Sequence, residues 1–169
     1  MSGTYADSEQ SAVLDALAKL LIDSIPVLST KNCFISILED PPQMPSDDVF
    51  VTVAPTAGDF PEEFQDGGGP NQCTEYTGAI ISIFSRFQAN RPGQERDALS
   101  DFARGILKMK RLVLKAVVGK NLTSAADGNQ VLRELIKAKK SSFPAYVNNE
   151  QLVKVGIEVS TPFDWNLTL

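Results

Sequence analysis

Histidine is absent from this chain of 169 residues, and that absence limits the available chemistry more than any residue present does. Ser–His and Cys–His nucleophile pairs and imidazole metal sites all need one. Catalysis would have to run on carboxylates, on lysines, or on a metal held by oxygen ligands. Three adjacent acid pairs, Glu39–Asp40, Asp47–Asp48 and Glu62–Glu63, are the groups that could hold Mg²⁺ or Ca²⁺. Neighbouring side chains on an extended chain point in different directions, and no calcium-loop spacing surrounds these acids, so surface charge is the better reading. Gly67-Gly68-Gly69 lacks both the Lys-Ser/Thr and the opening helix of a phosphate loop. No Ser-x-x-Lys pattern occurs. Cys33 and Cys73 have no metal-type spacing and read as free, reduced thiols. The sequence therefore assigns no catalytic, cofactor-binding or metal-ligating residue.

Charge is a stronger signal. Residues 1–85 hold 13 Asp/Glu against Lys19 and Lys31, a net −11. Residues 86–169 hold 14 Lys/Arg against 8 Asp/Glu, a net +6, and together these give the −5 of the whole chain. Such a split either gives a monomer two solvated faces or lets one surface meet the opposite surface of a neighbour. Head-to-tail contacts of the second kind build rings when the rotation closes, with charge setting register more than affinity. The acidic balance, with a pI near 4.8, argues against nucleic acid as the main ligand. No apolar run reaches the roughly 20 residues of a membrane span. The first residues lack the basic start and apolar stretch of a secretory signal, so neither export nor an anchor is expected.

The elements that would position these charges follow from periodicity. Residues 8–24 read as a short N-terminal helix, with Val13, Leu14, Leu17, Leu20 and Leu21 on one side. Strands are expected at Cys33–Leu38, Val49–Ala54 and Thr74–Phe87. Between the last two lies a long acidic loop, residues 55–73, with Asp59, Glu62, Glu63 and Asp66 placed around Phe60 and Phe64. Loops of that length are functional or mobile; the two aromatics either dock on a basic neighbour or fold back on their own core. Ala98–Val118 reads as a long central helix with Leu99, Phe102, Ile106, Val113 and Val117 on one face. Arg104, Lys108, Arg111 and Lys115 form a basic stripe almost opposite, either a solvated face or a contact surface. Lys110 falls on the apolar side, where it must snorkel or meet an acid. Asn129–Ala138 reads as a further short helix. Ser141–Val147 and the alternating Val153–Thr161 read as a closing hairpin. The expectation is a single α+β domain over 1–169: a mainly antiparallel sheet, the short and the long helix packed on one side, and a C-terminal β-hairpin.

This order, with Val49-Phe-Val-Thr-Val-Ala54 leading into an acidic loop and Thr74-Glu-Tyr-Thr-Gly-Ala-Ile-Ile-Ser-Ile-Phe84 as central strand, resembles the tail terminator (tail-completion or neck) proteins of long-tailed bacteriophages. The resemblance spans nearly the whole chain as architecture, without a signature motif. It implies a non-enzymatic structural virion protein, assembled in the host cytoplasm and resident in the tail or neck. Such proteins form a hexameric ring that caps the tail tube, ends its polymerisation and joins the tail to the head connector. The implied partners are further copies of the chain, the tail tube protein and the connector or stopper protein; DNA passes through only as cargo, and neither membrane nor cofactor is involved. On that reading Asp59, Phe60, Glu62, Glu63, Phe64 and Asp66 of one copy meet Arg104, Lys108, Arg111 and Lys115 of the next, with the two phenylalanines as anchors. The alternatives are another head–tail joining protein (stopper or adaptor) and a small metal-dependent enzyme using the paired acids.

Overall fold

Alternation of apolar residues builds the sheet. Val51 and Val53, Ile81 and Ile83, and Val155, Ile157 and Val159 all turn the same way and are fully buried. In a computed structural model, residues 9–60, 72–86, 96, 99, 105–124, 128–147 and 152–166 are described. Their elements are α1 (Glu9–Ser24), β1 (Cys33–Ile35), β2 (Val49–Pro55), β3 (Gln72–Glu75), β4 (Gly78–Arg86), α2 (Ile106–Val117), β5 (Lys137–Ser141), β6 (Ala145–Val147), β7 (Leu152–Ser160) and β8 (Phe163–Asn166). The result is α+β, with a mostly antiparallel sheet in the order β1-β2-β4-β7-β5 and β6 also paired to β7. Among the described strands, only β1 and β2 run parallel.

Both helices cover one face of this sheet. Leu17 and Leu21 from α1, with Ile106, Met109 and Val113 from α2, share one core with the inward residues of β2, β4 and β7. The other face carries a smaller cluster, in which Phe50 and Phe84 stack at 4.5 Å between ring centroids with Met44 and Phe34 against them. No helix among the described residues is long and apolar enough to cross a membrane.

Four expectations change. The helix over Ala98–Val118 is not continuous among the described residues: α2 starts at Ile106, and Gly105 before it is extended (φ −61°, ψ 133°). Glycine is a poor helix-interior residue and breaks the pattern there. Asn129–Ala138 is not helical either. Val131 N–H donates to the Leu122 carbonyl, Ile136 N–H to the Lys120 carbonyl, and Gly119 N–H to the Ile136 carbonyl, so the segment runs as an extended strap. Its apolar residues serve the core from that conformation, with Leu132 and Ile136 buried.

The expected strand Thr74–Phe87 is two strands. β3 leaves the main sheet to pair with β8, and β4 begins at Gly78. A Cβ at Gly78 would lie 2.5 Å from the Val159 carbonyl oxygen and 2.8 Å from Thr56 Oγ1, so glycine is required at the break. The chain also does not close on the strands around Val153–Thr161. β6 does pair antiparallel with β7, but Pro162 follows and β8 continues beyond it to form the two-stranded ribbon with β3.

Candidate functional site

The sheet face away from the helices carries a developed surface feature. Residues 37–48 cross it as a strap, fixed by Arg86 Nη2 donating to the Pro45 carbonyl at 2.8 Å and by Met44 on the Phe50–Phe84 pair. Lys154, from the outward side of β7, meets this strap. Its Nζ lies 2.7 Å from Asp40 and 3.1 Å from Glu39, and 5.8 Å from the centre of the Phe84 ring. Between the strap and the β5–β6 edge runs an open groove of about 420 Å³. Ile80, Gly156 and Glu158 line its floor, Glu39 and Asp40 one wall, and Phe143 and Tyr146 the other. Lys140 reaches Glu158 at 3.0 Å.

Glu39 and Asp40 therefore hold an ammonium group, and the pair that sequence spacing leaves open as metal ligands is engaged inside the chain. Among the described residues no group of three acids, cysteines or histidines stands close enough to hold a metal ion. Nothing local marks Lys154 as their partner, since 114 and 115 positions separate the groups. The one available signal was its outward phase on an alternating strand.

The residues expected to join subunits are only partly described. Glu62, Glu63, Phe64, Asp66 and Arg104 lie outside the described residues. Asp59 and Phe60 are exposed and follow β2, where Asp59 exchanges backbone hydrogen bonds with Tyr76. Lys108, Arg111 and Lys115 sit on α2. Lys108 is half-buried, whereas Arg111 and Lys115 are exposed and form no ion pair among the described residues. Leu107 and Val118 are also exposed at the two ends of this helix, so its outer surface mixes cations with apolar side chains. Lys110 finds a hydroxyl rather than an acid, donating to Ser141 Oγ at 2.7 Å.

A polar clasp ties the β3–β8 ribbon to the strap over residues 131–137. Arg133 Nη1 donates to Thr74 Oγ1, and the Thr74 hydroxyl donates to Asp164 across the ribbon. Trp165 Nε1 donates to the buried Glu75 carboxylate at 2.6 Å, while its ring packs on Phe163. Gly58 passes over that carboxylate, where any Cβ would collide with it. Tyr76 OH donates to Glu134 at 3.2 Å, and Lys137 donates to the same carboxylate at 3.0 Å. The Lys137 hydrogen bond and charge, with the Tyr76 hydrogen bond, hold Glu134 below the usual glutamate range. Desolvation, then the Glu134 charge, push the Tyr76 phenol up. Both cysteines are free, and burial raises the Cys33 thiol to about 12. These polar groups bridge elements, which is what positions the ribbon.

Comparison with known proteins gives a fold and no family. Neither the known protein families nor the curated proteins contain a match to this chain. Among solved structures, a chain from the virion of a native gene transfer agent particle is similar over 96% of this chain and 99% of its own. The TM-score is 0.51 at 15% identity. The two chains share a fold from end to end. A second solved chain aligns over 99% of both chains at 14% identity, but its TM-score of 0.43 is too low to add to the comparison.

Proposed function

We propose that this chain is a structural virion protein that assembles as a ring at the head–tail neck, capping the tail tube and joining it to the head connector. The carrying observation is the end-to-end fold shared with a chain of a gene transfer agent virion, in which nearly all of each chain finds a counterpart. That likeness supports a virion structural protein; the neck position and the ring come from the element order and the charge split. The exposed mixture of apolar and charged side chains on α2 and around the sheet edges supports a chain that meets other copies. In this reading the protein is not an enzyme. Its partners are further copies of itself, the tail tube protein and a connector or stopper protein, with DNA passing through.

The contact between the acidic segment from Asp59 to Asp66 and the basic α2 surface belongs to this proposal. Solution mass by light scattering tests the ring: six chains of 18.3 kDa give about 110 kDa. Charge reversal of Lys108, Arg111 and Lys115 to Glu tests the contact, and an unchanged mass would exclude it. Disrupting the gene in the particle that encodes the protein tests the role. A terminator leaves tubes of uncontrolled length without heads; normal-length tails beside heads that lose DNA would instead identify a stopper or adaptor.

A further inference from the structure

The strap over residues 37–48 lies on the outer sheet face with few of the interactions that fix a chain in place. Ser36 N–H donates to the Val53 carbonyl just before it, and Arg86 N–H donates to the Asp48 carbonyl at its end. Between those points no backbone–backbone hydrogen bond holds it among the described residues. Pro41, Pro42 and Pro45 have no N–H to offer. Pro41 is its only buried residue and Met44 is half-buried, while Ile37 is 88% and Leu38 64% exposed and neither helps to seat it. The other ties are polar. Arg86 Nη2 donates to the Pro45 carbonyl at 2.8 Å, Thr52 Oγ1 to the Glu39 carbonyl at 3.5 Å, and the Glu39 and Asp40 carboxylates hold Lys154.

The surface beneath is nevertheless closed. Phe50, Thr52, Ser82 and Phe84 are fully buried. They share the outward phase of β2 and β4, opposite to Val51, Val53, Ile81 and Ile83 in the main core. Ser82 pairs with Thr52 on one side and Gly156 on the other. The strap runs from Glu39, bonded to Thr52, to Asp40, bonded to Lys154 of β7, so it is what lies over Ser82. A segment with little buried apolar surface and no ladder opens at a lower free energy than the core it covers.

We infer that the strap is a cover, latched by Lys154, that opens as a unit while the sheet and both helices stay folded. Its ends stay fixed where it joins β1 and β2, and the middle swings clear when Lys154 releases the two carboxylates. Opening lays bare the Phe50–Phe84 pair and frees the ammonium group beside it. Glu39 and Asp40 thus keep an apolar, cationic face shut within the chain. This device does not depend on the ring reading.

The test places a thiol under the strap with Ser82→Cys, in the full chain carrying Cys73→Ser, and labels it with iodoacetamide. The Ser82 hydroxyl has no hydrogen-bond partner among the described residues, so a thiol replaces it without losing a bond. Thr52→Cys repeats the measurement should that variant not fold. Cys33 is the internal reference, buried against α1 in the main core and reached only when that core opens. Each rate is divided by that of the same thiol in the urea-unfolded chain, which gives the fraction of time it is reachable. The thiol at position 82 should be reachable at least about 100 times as often as Cys33, with a shallower dependence on urea because little surface is exposed. Its labelling should rise about fivefold in Lys154→Met, and roughly 30- to 150-fold in Glu39→Gln/Asp40→Asn, where the ammonium is stranded under the closed strap. Equal reachability of the two thiols, or a urea dependence as steep as that of Cys33, means that this face opens only with the whole fold and overturns the proposal. Latch variants that leave labelling at position 82 unchanged overturn it as well.

Discussion

Removing the acids around Lys154 should damage the protein more than removing Lys154 itself. The Lys154 side chain is 13% exposed, whereas Glu39 and Asp40 are each 52% exposed. In Lys154→Met the stem and its packing over Phe84 survive, and the two carboxylates left behind take up water. The loss is then two half-exposed ion pairs, about 1 kcal/mol in all. For a chain of this length that lowers Tm by roughly 2–4 °C. In Glu39→Gln/Asp40→Asn the ammonium group stays beneath the strap without a counter-charge. Stranding one partner of a fully buried pair costs about 3–5 kcal/mol; discounted for the remaining exposure, about 2–3 kcal/mol is expected, a Tm drop of roughly 5–10 °C. Adding Lys154→Met to the double variant should recover most of that loss, since the stranded charge goes with it. Urea or thermal unfolding of the four proteins measures all of this. If Lys154→Met proves as costly as the double acid variant, the asymmetry is wrong and the strap is held by something other than these pairs.

Three further outcomes are expected. Gly78→Ala forces a Cβ to within 2.5 Å of a backbone carbonyl that cannot turn aside; it should cost about 1–3 kcal/mol, read as a lower midpoint in urea. At pH 8 a thiol reagent should label the partly exposed Cys73 and spare Cys33, whose buried thiol is raised to about 12, until denaturant opens the core; rapid native labelling of both would contradict the packing of α1 on β1. Glu134 is held low, so its contribution is present above the unfolded glutamate value and is lost as pH falls through its folded value. A carbon-detected NMR titration should give a Glu134 midpoint below that of ordinary glutamates, rising in Lys137→Met, and an unmoved midpoint would remove Lys137 as the cause.

What the sequence could reveal divides along the range of the forces involved. The β-branched and aromatic run Val49–Ala54, the alternation in Val153–Thr161 and the one-sided stripe of α1 are set within a few residues, and those elements stand where these local signals put them. The misreadings lie where a distant partner decides. Val131, Leu132, Leu135 and Ile136 have a spacing that a helix also satisfies, and hydrogen bonds to residues 119–122 settle the matter in favour of an extended strap. Thr74–Phe87 is rich in β-branched and aromatic residues on both sides of Gly78, so only that glycine marks the division locally, and its necessity comes from Val159 and Thr56. Gly105 is the local break in the long helix, and the apolar stripe runs on through it.

The same division governs the surfaces. Charge is countable from the sequence, but its partners are not: Glu39 and Asp40 belong to the acidic half and Lys154 to the basic half, and the fold brings them together within one chain. Part of the charge split is thus consumed internally, and less of it is left for neighbours than the net −11 and +6 suggest. A contact driven by charge alone would be weakened by that much. The salt dependence of the assembled mass tests what remains. A contact between the acidic loop and the α2 cations predicts loss of the assembly at about 0.5 M salt, where the Debye length falls to roughly 4 Å, and an assembly that survives there is held by something other than charge.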